Sequence, residues 1–519
     1  MSIAEVVLTA AARYGPAIAI QDDRGSRSFT ELSDRVQALA RGLRGIGIAP
    51  GCRVAVLLTN SMAAVEVDLA LAIGGFVRVS LNPRVGRADW ERIAGDCRPD
   101  VLIVDPRIGG AGEFAARTGL STVITTDATA PAGLSLEAVV ARGAEGPAIA
   151  VPDPNSLCAL HYSSGTTGIP KGACRTHANR LTSLHAMRTH VLAGTVAGAE
   201  PMVFLHAGPI IHTSGLFVLP VLEAGGRQVL LDHLGPGSLI EAVESHAVTH
   251  TVLVPTVIAR LLDFDDARLS VLARLRMLAY AGAPMPVEHI RQAYRRITPN
   301  LVQYYGMVEA IPPLTVLTAA DHRRGMRDDA GLLGSVGRTC PGVDIDFRSL
   351  EGPIPEGATG ELVIAGPAVG PGYHNARTRT DLGKSHIDGR LHSGDLGYRD
   401  PAGYIHLIGR SKDMIITGGY NVYPREVEEA IRAIPGIDDA VVVGLPDRVW
   451  GQRIVAAYTC SVAADLDESV VLAHSRSRLP DYKRPKSAHR VDRLPSTPLG
   501  KVDRVAATSL LNALVRTEL

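Results

Sequence analysis

A stretch of ten residues, Ser163-Ser164-Gly165-Thr166-Thr167-Gly168-Ile169-Pro170-Lys171-Gly172, concentrates glycines, hydroxyls and one lysine. Glycines let backbone N–H groups approach an anion closely, hydroxyls add donors, and an ammonium adds charge. Phosphate binding is the chemistry such a loop serves; an ordinary surface loop is the alternative. The order is not that of a Walker loop, because Pro170-Lys171-Gly172 supplies no Gly-Lys-Ser/Thr. Only six lysines stand among the 53 basic residues: Lys171, Lys384, Lys412, Lys483, Lys486 and Lys501. Arginine serves almost everywhere a surface cation is wanted. A retained lysine therefore marks a place for a compact ammonium that a planar guanidinium cannot imitate. Lys501, in Pro498-Leu499-Gly500-Lys501, lies far from Lys171 in sequence. Two such lysines point to chemistry on phosphates.

The elements that must position these residues alternate between strand-like and helical patterns. Arg53–Leu58, 101–104, 202–205, 251–254 and 277–280 read as buried strands, and 157–161 as the strand leading into the loop. Leu32, Val36, Leu39 and Leu43 recur at helical spacing, and 239–245 is a further helix. The pattern predicts an α/β fold with largely parallel sheets. After about Gly352 the texture changes to short strands bounded by Gly and Pro, at 361–364 and 404–408. Beyond the polar connector Gly409-Arg410-Ser411-Lys412-Asp413 come a helix at 425–433, strands at 440–443 and 453–458, and a helix at 468–478. The expected organisation is a large domain over 1–409, a hinge at 410–413 and a small α+β domain over 414–519.

A chain of 519 residues exceeds what one core supports. Its formal net charge of zero argues against a general nucleic-acid binder. Six cysteines (52, 97, 158, 174, 340 and 460) form no CxxC pair and read as small apolar residues in a reducing compartment. Met1–Glu5 carries no basic segment before an apolar run, so no signal peptide is expected. The most apolar stretch, 207–222, contains His212 and two prolines and makes a poor membrane span. The cytoplasm is the expected compartment.

The motifs resemble, in order, those of the adenylate-forming enzymes: acyl-CoA synthetases, peptide-synthetase adenylation domains and firefly luciferase. Tyr162–Gly172 resembles the family's phosphate loop. Ala281-Gly282-Ala283-Pro284 resembles its adenine-contacting turn, and Tyr305-Gly306-Met307-Val308-Glu309 its YGxTE. His392-Ser393-Gly394-Asp395 resembles its [ST]GD, 409–413 its hinge, and Gly418-Gly419-Tyr420-Asn421-Val422 and 498–501 its C-terminal motifs. The resemblance covers essentially the whole chain and is closest to the acyl-CoA synthetases. It implies a large N-terminal domain of stacked α/β subdomains with a small β-barrel-like part, hinged to a small α+β domain.

The resemblance also implies roles. The 163–172 loop grips the β- and γ-phosphates of ATP. Gly282, Ala283, Pro284, Tyr305, Gly306, Met307 and Val308 complete the nucleotide site. Asp395 accepts from the ribose hydroxyls with Arg410 in support; alone it would read as a turn residue. Glu309 holds Mg²⁺. Lys501 bridges the substrate carboxylate and the α-phosphate, although in isolation it reads as a solvated surface residue. Lys412 is the hinge. Gly418, Gly419 and Tyr420 border the pantetheine tunnel of coenzyme A. His212 stands at the entrance of the acyl pocket, or else is a core histidine. Phe217, Ala281, Tyr305, Ala310 and Ile311 line that pocket by motif adjacency. Small residues at 281 and 310 leave room for a bulky apolar, alicyclic or aromatic acid. One departure is Val308, where the family usually has Thr. A lost donor at a catalytic anion can cost ~3 kcal/mol, so ATP use is expected to be slowed or compensated.

The expected activity is adenylation of a carboxylic acid followed by transfer to coenzyme A. One alternative passes the acyl group to a carrier protein or partner ligase. A second is a non-catalytic nucleotide-binding partner. The expected partner is a small-molecule acid, with no nucleic acid; the oligomeric state, a homodimer included, stays open.

Overall fold

The computed structural model describes residues 1–126, 134–163, 171–195, 201–232, 234–349, 352–355, 357–375, 385–460, 466–497 and 502–517. Contacts divide the chain into two compact units: Met1–Pro284, His289–Ile345 and Ile364–Leu391 form one, and Met285–Glu288, Asp346–Val363 and His392–Leu519 the other.

The first unit is built on two sheets. In spatial order the seven-stranded sheet runs Leu134–Ser135, Val123–Thr125, Val101–Val104, Arg53–Leu57, Val77–Ser80, Leu157–Ser163 and Lys171–Thr176. Its inner strands are parallel, and only the last pair is antiparallel. The nine-stranded sheet runs Arg338–Thr339, Thr315–Leu317, Leu301–Tyr305, Met277–Tyr280, His250–Leu253, Val203–His206, Arg227–Leu230, Ile18–Asp22 and Gly25–Ser28. It too is parallel within and antiparallel at both edges. Most parallel strands are apolar runs, as burial on both faces favours, but Val77–Ser80 and Arg227–Leu230 carry Arg78, Ser80, Arg227 and Gln228 and were not read as strands. The edges were less legible, because short polar strands such as Gly25–Ser28 carry no apolar run.

Helix Phe29–Gly45 shows how local signals set these elements. Ser28 and Glu31 form a capping box at its start. Leu32, Val36, Leu39 and Leu43 are all buried, each contributing about 1.5–3 kcal/mol of hydrophobic burial.

The second unit holds most of a six-stranded sheet, where the barrel-like part was expected, and a five-stranded sheet. In the former, residues 395–399 pair antiparallel with 405–410. In the latter, Ile415–Thr417 and Tyr420–Val422 form a hairpin, and Gly451–Cys460 lies between Ile437–Asp447 and Ser487–Arg490. The helices Pro424–Arg432 and Glu468–Arg478 match the sequence reading, and Val427, Ile431 and Val471 close the core.

None of the six cysteines is in a disulfide, and four are buried. Burial pushes the Cys97 and Cys340 thiols up to about 12. Among the described residues no helix is long and apolar enough to cross a membrane.

Candidate functional site

In the first unit the phosphate-type loop is closed by a strand pair. Leu157–Ser163 and Lys171–Thr176 are antiparallel, with Ser163 opposite Lys171 and Tyr162 opposite Gly172. Ser164, Gly165, Thr166, Thr167 and Gly168 lie outside the described residues, as does Lys501. Tyr162 donates to Asp96 Oδ2 at 2.5 Å and so anchors the strand just before the loop.

Glu309 follows strand Leu301–Tyr305 through Gly306, Met307 and Val308. A side chain at Gly306 would stand 2.7 Å from Pro312, so only glycine permits this close turn. The loop is then tied to a segment that the motifs did not mark. Gly370 N donates to Glu309 O at 2.9 Å, Ile311 N to Ala368 O at 2.9 Å, and Ala310 bridges Val369. The same segment continues to the strand after the phosphate-type loop. Cys174 N donates to Gly372 O at 2.8 Å, His374 N donates to Gly172 O at 2.7 Å, and Ala173 bridges Tyr373. Residues 368–374 thus stitch the strand carrying Lys171 to the loop carrying Glu309.

Two side chains reinforce the stitch. The Tyr373 hydroxyl donates to Glu309 Oε1. Asn179, fixed in a capping box with Thr176, donates Nδ2 to Pro367 O at 2.8 Å and Val369 O at 3.1 Å. A third tie comes from Arg175, whose Nη2 donates to Val308 O at 3.3 Å. Burial, then the charge of Arg78, pushes the Arg175 guanidinium down to about 10, so it remains a cation near neutral pH. Position 308 therefore matters through its carbonyl as well as its side chain. No motif announced Tyr373, Asn179 or Arg175; their roles exist only in the folded chain.

Around these groups Phe217, Ala281, Ala310 and Ile311 are buried, and Tyr305 is partly exposed at its strand end. Phe217 stacks on Phe204 with ring centroids 4.6 Å apart and meets Tyr304 edge-on. His212 is partly exposed and opens the 3₁₀ turn Thr213–Phe217, with Gly215 N donating to its carbonyl at 3.0 Å. The satisfied core histidine of this region is instead His206. Its ring nitrogens lie 2.8 Å from Ser214 Oγ and 3.0 Å from Gln228 Oε1, and burial holds its pKa down to about 4. Gly282, Ala283 and Pro284 follow strand Met277–Tyr280 as a turn.

In the second unit Asp395 and Arg410 face each other across paired strands, and Arg410 Nε donates to Asp395 Oδ1 at 2.8 Å. Asp395 is buried and Arg410 is half exposed, so the pair presents a charged edge. Its backbone is fixed locally: Asp395 N donates to Ser393 Oγ at 3.1 Å, and Gly394 N to Glu361 Oε1 at 2.8 Å. Lys412 sits in the 3₁₀ turn Ser411–Asp413 directly after this strand. Gly418 and Gly419 form the two-residue hairpin turn, with φ of 55° and 80°. Two successive left-handed residues are what a tight hairpin of this kind requires, a conformational reason for both glycines beside the steric one. Tyr420 is exposed and stacks on Tyr482.

Among the described residues no cluster of three metal-ligating side chains exists. A hard cation shared with phosphates needs only one or two carboxylates, and the oxygen donors of Glu309 fit that role.

Known proteins resemble the chain along most of its length. The AMP-binding enzyme profile matches residues 7–374, and the AMP-binding enzyme C-terminal domain profile matches residues 426–501. The chain is 35% identical to a feruloyl-CoA synthase of an Amycolatopsis species, over 95% of each chain. It is 32% identical to the indoleacetate–CoA ligase of Aromatoleum aromaticum, over 92% of this chain and 91% of that one. Among solved structures, the amide bond synthetase McbA from Marinactinospora thermotolerans superposes with a TM-score of 0.87 at 28% identity, covering 98% of this chain and 99% of the other.

Proposed function

We propose, from the premise that this chain belongs to the AMP-binding enzyme family, a specific division of labour among its residues. The chain is an acid–thiol ligase that activates a carboxylic acid with ATP as an acyl-adenylate and transfers the acyl group to coenzyme A. The finer reading is that the acid is bulky and apolar, aromatic or alicyclic. Small residues at 281 and 310 support it, as do relatives named for feruloyl and indoleacetyl substrates.

In the first step a carboxylate oxygen of the acid attacks the α-phosphorus, and the bond to the β-phosphate oxygen breaks as pyrophosphate leaves. The hydroxyls and backbone of 163–168, with Lys171, hold the β- and γ-phosphates. Lys501 neutralises charge growing at the α-phosphate. Asp395, oriented by Arg410, accepts from the ribose hydroxyls. Glu309 would hold Mg²⁺, which when bound supplies charge to the phosphates; Tyr373 orients the carboxylate. In the second step the thiol sulfur attacks the acyl carbonyl carbon and AMP leaves, with Gly418 and Gly419 beside the pantetheine arm and His212 at the acyl entrance. The observation that carries this reading is the 368–374 segment, which binds the phosphate-loop strand to the Glu309 loop by backbone hydrogen bonds. The compartment read from the thiols is the cytoplasm.

Between the steps the residues after the hinge reorient about Lys412, where a few backbone dihedrals absorb the change. Lys412→Pro fixes φ and removes an N–H. The expected outcome is that acid-dependent pyrophosphate release persists while thioester formation falls by at least about tenfold. Single-turnover measurement of both half-reactions checks it, and unimpaired thiolation removes Lys412 from the hinge.

A second reading is favoured by the amide bond synthetase structure: the adenylate passes to an amine, or to a carrier-protein thiol, rather than to coenzyme A. Acid activation assayed with coenzyme A, a carrier protein and amines as separate acceptors distinguishes these. Thioester formation faster with coenzyme A than with either rival acceptor supports the first reading, and the reverse order replaces it.

A further inference from the structure

Strands Arg53–Leu57, Val77–Ser80 and Leu157–Ser163 are parallel neighbours. In open α/β sheets ligands gather beyond the carboxyl ends of such strands. The third strand runs into the phosphate-type loop. The carboxyl ends of the first two meet a different enclosure, walled by Leu58, Asn60, Arg78, Ser80, Arg84 and Ile210, with about 470 Å³ of space not filled by atoms, part of it open to solvent.

Its apolar wall is rigidly set. Asn60 Nδ2 donates to His206 O at 3.0 Å and Gly208 O at 2.9 Å, and its Oδ1 accepts from Ile210 N at 2.9 Å. That wall, Pro209–Ile211, leads directly to His212.

The facing wall is polar. Arg78 donates Nη1 to Asp68, and its Nη2 lies 3.2 Å from His161 Nε2. Burial, then the charges of Arg175 and Arg78, holds His161 well below its usual pKa, so the ring is neutral and accepts. Among the described residues Arg78 Nε is buried with no hydrogen-bond partner, and so is Oγ of Ser80, a residue only 8% exposed. Residues 78 and 80 are two apart on one strand, so both side chains point to the same face. Behind them Arg180 also pairs with Asp68, at 3.1 Å. Two partly buried guanidiniums thus share one carboxylate, and Arg175 adds a third cation nearby, its charge offset in part by Glu309. The lining sets Arg78 and Arg84 against Asp68 and Asp232, Arg180 behind it tips the local balance toward positive charge, and the buried donors of Arg78 and Ser80 lack acceptors among the described residues, so an anionic oxygen group matches them.

We propose that this enclosure is the distal end of the acid site and takes a second carboxylate of the substrate, with Arg78 and Ser80 as the specificity-determining residues. The preferred acids are then dicarboxylic, with an apolar ring or chain between the two carboxylates. The inference rests on the adenylation reading above and specifies its substrate class.

Acid-dependent pyrophosphate release with matched pairs tests it: octanoate against suberate, and 3-phenylpropanoate against 3-(4-carboxyphenyl)propanoate. For at least one pair the diacid should have the higher kcat/KM, by about tenfold, the value of one charge-assisted hydrogen bond. Arg78→Met should lower kcat/KM for the diacids more than for the monoacids, mainly through KM, and so remove that preference. Ser80→Ala, which takes away only an unpartnered hydroxyl, should lower diacid kcat/KM several-fold and keeps the test open if Arg78→Met does not fold. Equal use of both members of each pair, or equal loss for both in Ser80→Ala, overturns the subsite and leaves adenylation standing. No release with any acid overturns the adenylation reading and the subsite with it.

Discussion

Lys501→Ala is expected to lower acid-dependent pyrophosphate release by about a thousandfold, the upper range for removing one preorganised charge from a reacting centre. Transfer from a supplied acyl-adenylate to coenzyme A should stay within about twofold, because that step breaks the acyl carbon–oxygen bond and no bond to phosphorus. The split follows from the proposed reorientation about Lys412: Lys501 lies beyond the hinge and attends the α-phosphate while pyrophosphate departs, not during the later departure of AMP. The retention of lysine in an arginine-rich chain favours a point charge there, so Lys501→Arg should restore little. Rapid-quench measurement of both half-reactions checks this. Equal loss in both, with circular dichroism unchanged, would contradict the assignment.

Glu309→Gln should lower adenylation by about a hundredfold and raise the Mg²⁺ concentration needed for half-maximal rate. The backbone ties at Glu309 O and Ala310 do not depend on the carboxylate, so thermal stability should change little. Tyr373→Phe is the graded companion. It leaves the carboxylate but removes its hydroxyl donor, and a loss of about threefold to tenfold is expected. A magnesium titration of pyrophosphate release separates the two variants. If Glu309→Gln leaves the magnesium dependence untouched, the carboxylate is only a structural partner of Tyr373.

The parallel strands written as apolar runs, such as Val101–Val104 and Met277–Tyr280, were legible, whereas Val77–Ser80 and Arg227–Leu230 were not, because polar residues interrupt them. The helices Pro424–Arg432 and Glu468–Arg478 fall where the sequence placed helices, at 425–433 and 468–478. The candidate site was proposed from sequence where chemistry demands particular residue types, as at 163–172 and 305–309. It was not readable where function depends on contacts between distant segments. Tyr373 reaches Glu309 across 64 positions, and Arg175 reaches the Val308 carbonyl across 133; no local spacing encodes either. Arg78, Asp68 and Arg180 belong to a strand and two helices that carry no motif. Only the fold reveals that they are buried together.

The account turns on the fate of ATP. Incubating the protein with ATP, Mg²⁺, coenzyme A and a panel of aromatic, alicyclic, fatty and dicarboxylic acids, and resolving nucleotides and thioesters together, tests it most directly. The account predicts AMP, pyrophosphate and acyl-CoA in equal amounts for at least one acid, with exchange of labelled pyrophosphate into ATP when coenzyme A is left out. ADP and phosphate as products, or no pyrophosphate exchange with any acid, would contradict it.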